Sequence, residues 1–201
     1  MIAIIDYDAG NIKSVEKACN YLGYDTVVSS NSKEIIRADK VILPGVGSFG
    51  NAMSQLQKYH LDHTIREIVS NDVPFLGICL GMQLLFDSSE ESYGVNGLGI
   101  LKGNILKIPS KDRIKIPHIG WNSLDFINDG RLFNNMEPQP YVYFVHSYYL
   151  QAEDKNIVKA TCQYGVNIHA SVESGNIFAC QFHPEKSGDT GLQILTNFAQ
   201  I

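Results

Sequence analysis

The sequence lacks long apolar runs and clusters of positive charge. No apolar segment approaches the ~20 residues that a membrane-spanning helix requires, so we expect no membrane span and no membrane partner. Its 16 Lys and Arg residues are outnumbered by 21 Asp and Glu residues, which gives a formal net charge of -5. Because phosphate neutralisation needs clustered cations and no basic run stands out, we expect no nucleic-acid partner.

Cysteine is sparse and has no metal-binding spacing. No CxxC or CxH pattern occurs, so we expect neither a metal site nor a bound cofactor. The opening MIAIIDYDAG lacks a cationic start, and Asp6 and Asp8 interrupt its apolar stretch. It is therefore a poor signal peptide, and we expect a cytoplasmic protein with reduced thiols. Each of the four cysteines must then be judged alone: Cys19, Cys79, Cys162 and Cys180.

Low-complexity tracts, linkers and internal repeats are also absent. The chain has 201 residues, 44% of them hydrophobic and 18% charged, as is typical of a globular protein. A chain of this length can bury roughly 70% of its unfolded surface. We therefore expect one domain spanning residues 1–201.

The order of apolar segments predicts an α/β fold. In the first half, buried strands such as IAIID, KVILPG and VPFLGI alternate with helical patterns, which predicts a mostly parallel central sheet with helices on both faces. A helix is expected to begin directly after VPFLGI, in LGMQLLFDSSEE. From about Gly94 the chain becomes β-rich, and consecutive strands of this kind usually pair antiparallel through hairpins before a last helix at 188–201.

The segment GICLG places a cysteine between a strand and a helix. G-x-C-x-G in this context matches the nucleophile elbow, in which a sharp turn holds the central residue in a strained conformation and larger flanking residues would collide with neighbouring strands. Cys79 would then stand at the carboxyl edge of the sheet above a helix N-terminus, with the Leu80 amide placed to bind an oxyanion. The ordinary alternative is a buried core thiol, the interpretation that we keep for Cys19, Cys162 and Cys180.

A histidine and a carboxylate follow another apolar strand. In an extended backbone, residues two apart point to the same side, and the proline between His183 and Glu185 favours that extension. Glu185 would orient one imidazole nitrogen while the other serves Cys79, as in a catalytic triad. The alternative is a surface ion pair at a strand end. His60 and His63 lie in a polar helical stretch, where solvent-exposed histidines are expected.

A glycine-rich loop, LPGVGSFG, follows the strand that ends near Leu43. Ligands of open α/β sheets bind beyond the carboxyl ends of the strands, so this loop would lie near Cys79. Glycines let the backbone approach a ligand and offer an N–H as a second oxyanion donor, for which Val46 and Gly47 are candidates. Phosphate binding is the weaker alternative, since neither G-x-G-x-x-G nor GK[ST] is present.

Together, PGVGSFG, GICLGMQLLF and FHPEKS resemble the motifs of class I glutamine amidotransferases, whose triad is Cys-His-Glu. The segments DYDAGN, HIGWN and YFVHSY are similar to those of the subfamily that forms the glutaminase subunits of imidazole glycerol phosphate synthases. The resemblance covers essentially the whole chain. It implies hydrolysis of glutamine to glutamate and ammonia, with the ammonia passed to a (β/α)8-barrel cyclase as the partner of a heterodimer.

The resemblance also assigns roles to individual residues. It implies a catalytic triad of Cys79, His183 and Glu185 and a peptide flip in the PGVG loop on partner binding. The residues that would hold glutamine are Gly45, Gln83, Glu91 and the backbone around His146, Ser147 and Tyr148. A solvated helix-end carboxylate is the alternative for Glu91. The partner interface would include Asn11, Trp121, Tyr143 and Lys186, although a buried core position is the ordinary alternative for the only tryptophan.

Two other classes of function compete with this interpretation. One is a hydrolase on the same scaffold, either a free-standing γ-glutamyl hydrolase or a glutaminase that feeds another acceptor enzyme. The other is a binding module with a vestigial triad, which the intact cysteine, histidine and glutamate motifs disfavour. A free-standing hydrolase should turn over its substrate alone, whereas a synthase subunit should need its cyclase.

Overall fold

A computed structural model describes residues 1–110 and 114–201. Its core is an eight-stranded sheet in the order β2-β1-β3-β4-β13-β12-β11-β8. The first part of this sheet is parallel and consists of β1 (Ile2–Ile5), β2 (Thr26–Ser29), β3 (Lys40–Leu43), β4 (Phe75–Ile78) and β13 (Ile177–Cys180). The antiparallel part consists of β8 (Asp125–Phe126), β11 (Val158–Tyr164) and β12 (Val166–Ser174).

Helices cover both faces of the sheet, as the alternating pattern predicts. One face packs against α1 (Ile12–Tyr21) and α6 (Gly188–Gln200). The other packs against α2 (Ser32–Ile36), α3 (Phe49–Lys58) and α4 (Leu61–Ser70). Strand β1 explains this layering, because Ile2 and Ile4 join one apolar cluster while Ala3 and Ile5 join the other. Both faces of a parallel sheet are thereby buried.

Two smaller sheets flank the carboxyl edge of the main sheet. One contains β5 (Ser88–Ser89), β6 (Gly103–Lys107) and β10 (Tyr148–Ala152), and the other pairs β7 (His118–Ser123) with β9 (Tyr141–His146). Hairpin pairing is confirmed for β11 with β12 and for β12 with β13. Strands β9 and β10 are separated only by Ser147, which is too short for a hairpin turn, and each pairs with a different strand.

The strand register brings three loops together. Leu43 of β3 lies opposite Gly77 of β4, and Ile78 of β4 lies opposite Cys180 of β13. All three strands are parallel, so the segments that follow them emerge side by side at one edge of the sheet. These segments are the PGVG loop, Cys79 and the stretch that ends in His183.

The helix after Cys79 is much shorter than the sequence pattern predicts. Helix α5 spans only Leu80–Leu84. Its end is set by segment 98–101, whose amides donate hydrogen bonds to the carbonyl oxygens of Leu84, Leu85 and Phe86. These carbonyls lie in the last turn, where a helix leaves acceptors without internal partners, and the crossing segment satisfies them.

Candidate active site

Cys79 occupies a strained turn between β4 and α5. Its backbone has φ 55° and ψ -108°, a conformation that residues other than glycine rarely adopt. The predicted elbow is therefore confirmed as a backbone conformation. Crowding explains the flanking glycines. A Cβ atom on Gly77 would lie 2.8 Å from the Gly81 carbonyl oxygen, and one on Gly81 would lie 1.9 Å from that of Leu43.

His183 and Glu185 form a buried pair beside this turn. The Nδ1 atom of His183 lies 2.8 Å from Oε1 of Glu185, and both side chains are 1% exposed. The pairing agrees with the sequence prediction, but the route differs. His183 is extended, whereas Pro184–Lys186 forms a 3-10 turn that brings the carboxylate back to the ring. The expectation of an extended chain through Glu185 is therefore wrong, and burial excludes the surface ion pair.

The pKa of His183 is raised to about 10. Burial alone lowers it, but hydrogen bonding and charge from Cys79 and Glu185 outweigh that effect. Among the described residues, Nε2 of this ring has no hydrogen-bond partner of standard geometry. Nε2 therefore interacts with the Cys79 sulfur without forming a well-aligned hydrogen bond. Substrate binding can shorten and align this contact.

A cavity of about 440 Å³ opens over Cys79 and His183. A cavity of this size fits a small polar metabolite. Most residues that the sequence assigns to substrate and oxyanion binding line it. Its wall consists of Val46, Gly47, Cys79, Leu80, Gln83, Glu91, Pro117, Val145, His146, Ser147, Tyr148, His183 and Lys186.

Glu91 and Gln83 are both held in place by the protein. One oxygen of Glu91, Oε2, accepts a hydrogen bond of 2.7 Å from the Phe49 amide at the start of α3. Gln83 is buried, and its Nε2 donates to the Tyr148 carbonyl at 3.1 Å and to Gln181 at 2.9 Å. Glu91 thus caps a distant helix and also lines the cavity, so it is not merely a solvated carboxylate.

The glycine-rich loop reaches the cavity through Val46 and Gly47. Gly47 has φ +103°, a conformation available to glycine at little cost. Gly45 does not reach the cavity wall and is buried beneath it, where a Cβ atom would lie 2.6 Å from the Tyr7 hydroxyl and 2.8 Å from the Leu80 Cβ. Tyr7 in turn donates a hydrogen bond of 2.9 Å to the Pro44 carbonyl. The structure therefore places Gly45 as a support for the loop.

Two buried histidines extend the site away from Cys79. His118 Nδ1 lies 3.1 Å from His146 Nε2, and His146 Nδ1 lies 2.9 Å from the Tyr148 carbonyl oxygen. Because a carbonyl only accepts, Nδ1 of His146 must carry the proton and Nε2 must accept from His118. Burial lowers the pKa of His118 to about 4 and that of His146 to about 3, so both rings are neutral.

Comparison with known proteins agrees with this geometry. Residues 3–201 match the family model described as glutamine amidotransferase class-I. This chain belongs to the class I glutamine amidotransferase family.

Several relatives are similar over their whole length. The chain is 50% identical to "Imidazole glycerol phosphate synthase subunit HisH" of Methanocaldococcus jannaschii over 100% of both chains. It is 48% identical to the protein of that name in Caldanaerobacter subterraneus subsp. tengcongensis, over 100% of this chain and 98% of the other. Among solved structures, a glutamine amidotransferase superimposes with a TM-score of 0.76 at 17% identity, over 99% of this chain and 100% of that chain. A chain of PurLQS from Thermotoga maritima gives a TM-score of 0.75 at 22% identity, over 99% and 97%.

This class I glutamine amidotransferase exposes an apolar surface next to its cavity. We call it the β7/β9 outer face; it consists of the paired residues Ile119 and Val145, Trp121 and Tyr143, together with Tyr141. Trp121 is 54% exposed, so it is not a core tryptophan. The face is linked to the site, because the His183 amide donates a 3.0 Å hydrogen bond to the Tyr143 carbonyl.

The other two predicted interface residues lie outside the strand pair that forms this face. Asn11 stands at the start of α1, where its Oδ1 accepts a hydrogen bond of 2.8 Å from the Ser14 hydroxyl. Lys186 is exposed and lines the cavity beside His183.

The other three cysteines, and the two histidines predicted to be exposed, lie where the sequence places them. Cys19, Cys162 and Cys180 are buried, and His60 and His63 are exposed. Within residues 1–110 and 114–201, no three His, Cys, Asp or Glu residues are grouped so that they could hold a metal ion. None of the helices in these ranges is long and apolar enough to span a membrane.

Sequence reasoning missed Gln181, His118 and Tyr7. Gln181 contacts Cys79 directly, since its Nε2 lies 3.6 Å from the sulfur. A polar amide within the apolar run NIFACQFHP was the signal that could have revealed it, because an amide is costly to bury without partners. His118 and Tyr7 carry no such signal, as their roles depend on contacts with distant segments.

Proposed function

We propose that Cys79, His183 and Glu185 form the triad with which this chain hydrolyses glutamine to glutamate and ammonia. The chain is a glutamine-hydrolysing subunit of imidazole glycerol phosphate synthase, an enzyme of histidine biosynthesis. One observation carries the assignment of residues. A fully buried His–Glu pair stands beside a cysteine in a strained turn, at the floor of a cavity of about 440 Å³.

The geometry supports a two-step acyl transfer. The Cys79 sulfur attacks the side-chain amide carbon of glutamine, forming a C–S bond while the carbonyl electrons move to the oxygen. Collapse of this tetrahedral species breaks the C–N bond, and His183 gives its Nε2 proton to the departing nitrogen, which leaves as ammonia. His183 then takes a proton from water, whose oxygen displaces the sulfur and releases glutamate. Glu185 holds the ring and stabilises its charged form.

Backbone amides would stabilise the developing oxyanion. Leu80 follows the nucleophile at the start of α5 and lines the cavity, as the residue after the nucleophile does in an elbow. The second donor comes from the Val46–Gly47 loop, which also lines the cavity. Gly47 lets the adjoining peptide rotate at low cost, so we assign to this loop a flip that completes the site when the partner binds.

The cavity wall offers acceptors for the amino group of the substrate. One oxygen of the Glu91 carboxylate accepts a hydrogen bond from the Phe49 amide, and Gln83 donates both of its amide hydrogens to protein acceptors. Their remaining oxygens suit an ammonium group. The backbone from His146 to Tyr148 completes the wall on the side of β9 and β10.

We assign the β7/β9 outer face to contact with a (β/α)8-barrel cyclase, with Asn11 and Lys186 at its margin. An exposed aromatic cluster beside a polar cavity is typical of an interface centre. The bond from His183 to Tyr143 gives partner binding a direct route to the triad. The cyclase would receive the ammonia without its release into solution. The family match over residues 3–201 supports our expectation of a single domain.

Glutamine hydrolysis with and without a purified cyclase and its nucleotide ligand tests this assignment. We expect weak turnover alone and a large increase in the complex, with Cys79→Ala inactive in both. Equal turnover with and without the liganded cyclase would contradict the synthase role and favour a free-standing hydrolase.

A further inference from the structure

Gln181 is a polar side chain sealed inside the protein. It is 0% exposed, and it follows β13 between the buried residues Cys180 and Phe182. Burying an amide costs free energy unless its donors and acceptors find partners. Gln181 has partners on both sides, Gln83 and Cys79, so it connects the substrate wall with the nucleophile.

The orientation of both amides follows from one carbonyl group. The Tyr148 carbonyl only accepts, so the Gln83 atom 3.1 Å from it must be Nε2. The same Nε2 lies 2.9 Å from Gln181, which must therefore present its Oε1 to Gln83. The Gln181 Nε2 is then left to face the Cys79 sulfur, at 3.6 Å.

We propose that Gln181 is a positioning residue that donates a hydrogen bond to the Cys79 thiolate and fixes the Gln83 amide with its Oε1 free to accept from the substrate. This inference rests on the proposed function, since it concerns the same site. A donor on the sulfur favours the thiolate, which is the nucleophilic form. The acceptor function prevents Gln83 from turning its amide group around in the cavity.

Other titratable groups also surround the sulfur. His183 approaches it from the turn after β13, with Glu185 behind the ring. Cys180 of β13 and Tyr7 after β1 are near enough that the charge of Cys79 raises the pKa of each, in addition to the larger effect of burial. The charged side chains of Glu91 and Lys186 line the same cavity. His183 is the cationic ring beside the sulfur, and Gln181 supplies the neutral donor.

Two substitutions separate the two roles. Gln181→Met keeps the length and removes both hydrogen bonds. Gln181→Glu keeps an acceptor for Gln83 but replaces the donor to the sulfur with a carboxylate oxygen. Asn197→Leu is the matched control, because Asn197 is a buried amide that donates to Leu132 and Asn134, away from the cavity.

The readout is alkylation of Cys79 by iodoacetamide in the full chain over a range of pH, with Cys79→Ala as the blank. For Gln181→Met we expect the rate near neutral pH to fall about tenfold and the profile to move about one unit towards alkaline pH. Gln181→Glu should move the profile at least as far. In glutamine hydrolysis by the complex, Gln181→Met should raise KM about tenfold, whereas Gln181→Glu should leave KM closer to that of the unchanged protein.

Asn197→Leu should lower the melting temperature and leave the alkylation profile unchanged. If Gln181→Met behaves in the same way, its role is structural and the proposal is overturned. If that variant does not fold, an unshifted profile in Gln181→Glu overturns it equally. An inactive complex that still shows the Gln181-dependent profile would refute the proposed function and leave the positioning role standing.

Discussion

The imidazole of His183 and the carboxylate of Glu185 meet at 2.8 Å in a place where neither side chain exceeds 1% exposure. Water cannot compete for this contact, so the pair acts as one unit with an ordered geometry. Its consequences for pH follow from the His183 pKa, which is raised to about 10 in the folded protein. In the unfolded chain a histidine titrates near 6.5.

Glu185→Gln should change the alkaline stability of the protein. Because the folded pKa of His183 lies above the unfolded value, its contribution to the free energy of unfolding is complete below about pH 6.5 and declines towards about pH 10. Glutamine at position 185 removes a charge that raises this pKa, so the decline should be complete at lower pH. Urea unfolding between pH 6 and pH 10, run on both proteins, measures the difference (~1.4 kcal/mol per pKa unit). Superimposable pH profiles would show that Glu185 does not hold the proton on His183.

Cys79→Ala should remove glutamine hydrolysis without unfolding the protein. Without the sulfur no thioester can form, so turnover should fall to background. We expect a native circular dichroism spectrum and unchanged binding to the cyclase. Synthesis by the complex should continue when ammonium salts replace glutamine. Turnover of glutamine by the Cys79 variant would exclude Cys79 as the nucleophile.

His183→Ala should lower hydrolysis by about 10²–10⁴-fold, the usual effect of losing a general acid–base.

The two neutral histidines should make the protein sensitive to acid. Burial lowers the pKa of His118 to about 4 and that of His146 to about 3, whereas both titrate near 6.5 when unfolded. Unfolding therefore takes up protons below about pH 6.5, and stability declines as the pH falls towards 4, by about 1.4 kcal/mol per pH unit for each ring.

A phenylalanine at position 118 removes one of the two titrating rings, together with its hydrogen bond to His146 Nε2. The His118 ring stacks between Phe144 and Tyr164, with centroid distances of 4.8 and 3.8 Å, so His118→Phe keeps the stacking and removes one titrating group. Denaturant unfolding from pH 4 to pH 7 should show a shallower slope for this variant. The matched control is His63→Asn, which replaces an exposed histidine. An unchanged slope for His118→Phe would contradict the assignment of neutral rings.

How far the sequence predicts this site depends on whether the signal is local. The elbow at Cys79 was predictable because strand, turn and helix are adjacent in the chain and the crowding falls on Gly77 and Gly81. The succession of strand β1 and helix α1 was predictable for the same reason, because the two elements are adjacent in the chain. The pairing of His183 with Glu185 was predictable, but the 3-10 turn that creates it was not, since a proline is compatible with both conformations.

Contacts between distant segments set the limit of prediction. Helix α5 ends early because the amides of residues 98–101 donate hydrogen bonds to the carbonyl oxygens at its end. The sequence of the helix itself gives no indication of these contacts. His118 meets His146 only through the pairing of β7 with β9. The placement of Gly45 under the loop depends in the same way on Tyr7, which lies 38 positions earlier in the chain.

Gly81→Ala should disrupt the elbow. The added Cβ atom would lie 1.9 Å from the Leu43 carbonyl oxygen, which belongs to the rigid backbone of β3. Strand β3 and helix α5 must then separate, at a cost of about 3 kcal/mol or more, and Cys79 moves with the helix. Gly23→Ala is the control, since Gly23 has φ +82° and open space around it, so that only backbone strain of about 1–2 kcal/mol is expected. The melting temperature and the rate of glutamine hydrolysis should both fall for Gly81→Ala, whereas Gly23→Ala should keep its activity. Full activity in Gly81→Ala would contradict this account of the turn.

Trp121→Ala should weaken the complex with the cyclase. The indole is 54% exposed and packs edge-on against Tyr143, with ring centroids 6.1 Å apart, so a partner can bury most of its surface. Loss of such an aromatic anchor typically costs about 2 kcal/mol of binding free energy or more, about 30-fold in Kd. Isothermal titration with the cyclase measures this change.

Ile127→Ala is the control, because Ile127 is 50% exposed and follows β8 at the far edge of the main sheet, outside the β7/β9 outer face. At saturating cyclase, glutamine hydrolysis should recover in Trp121→Ala if the indole supplies affinity alone. Stimulation that stays low at saturation would instead assign to Trp121 a part in signalling through Tyr143 to His183, and equal Kd values for both variants would place the cyclase on another surface.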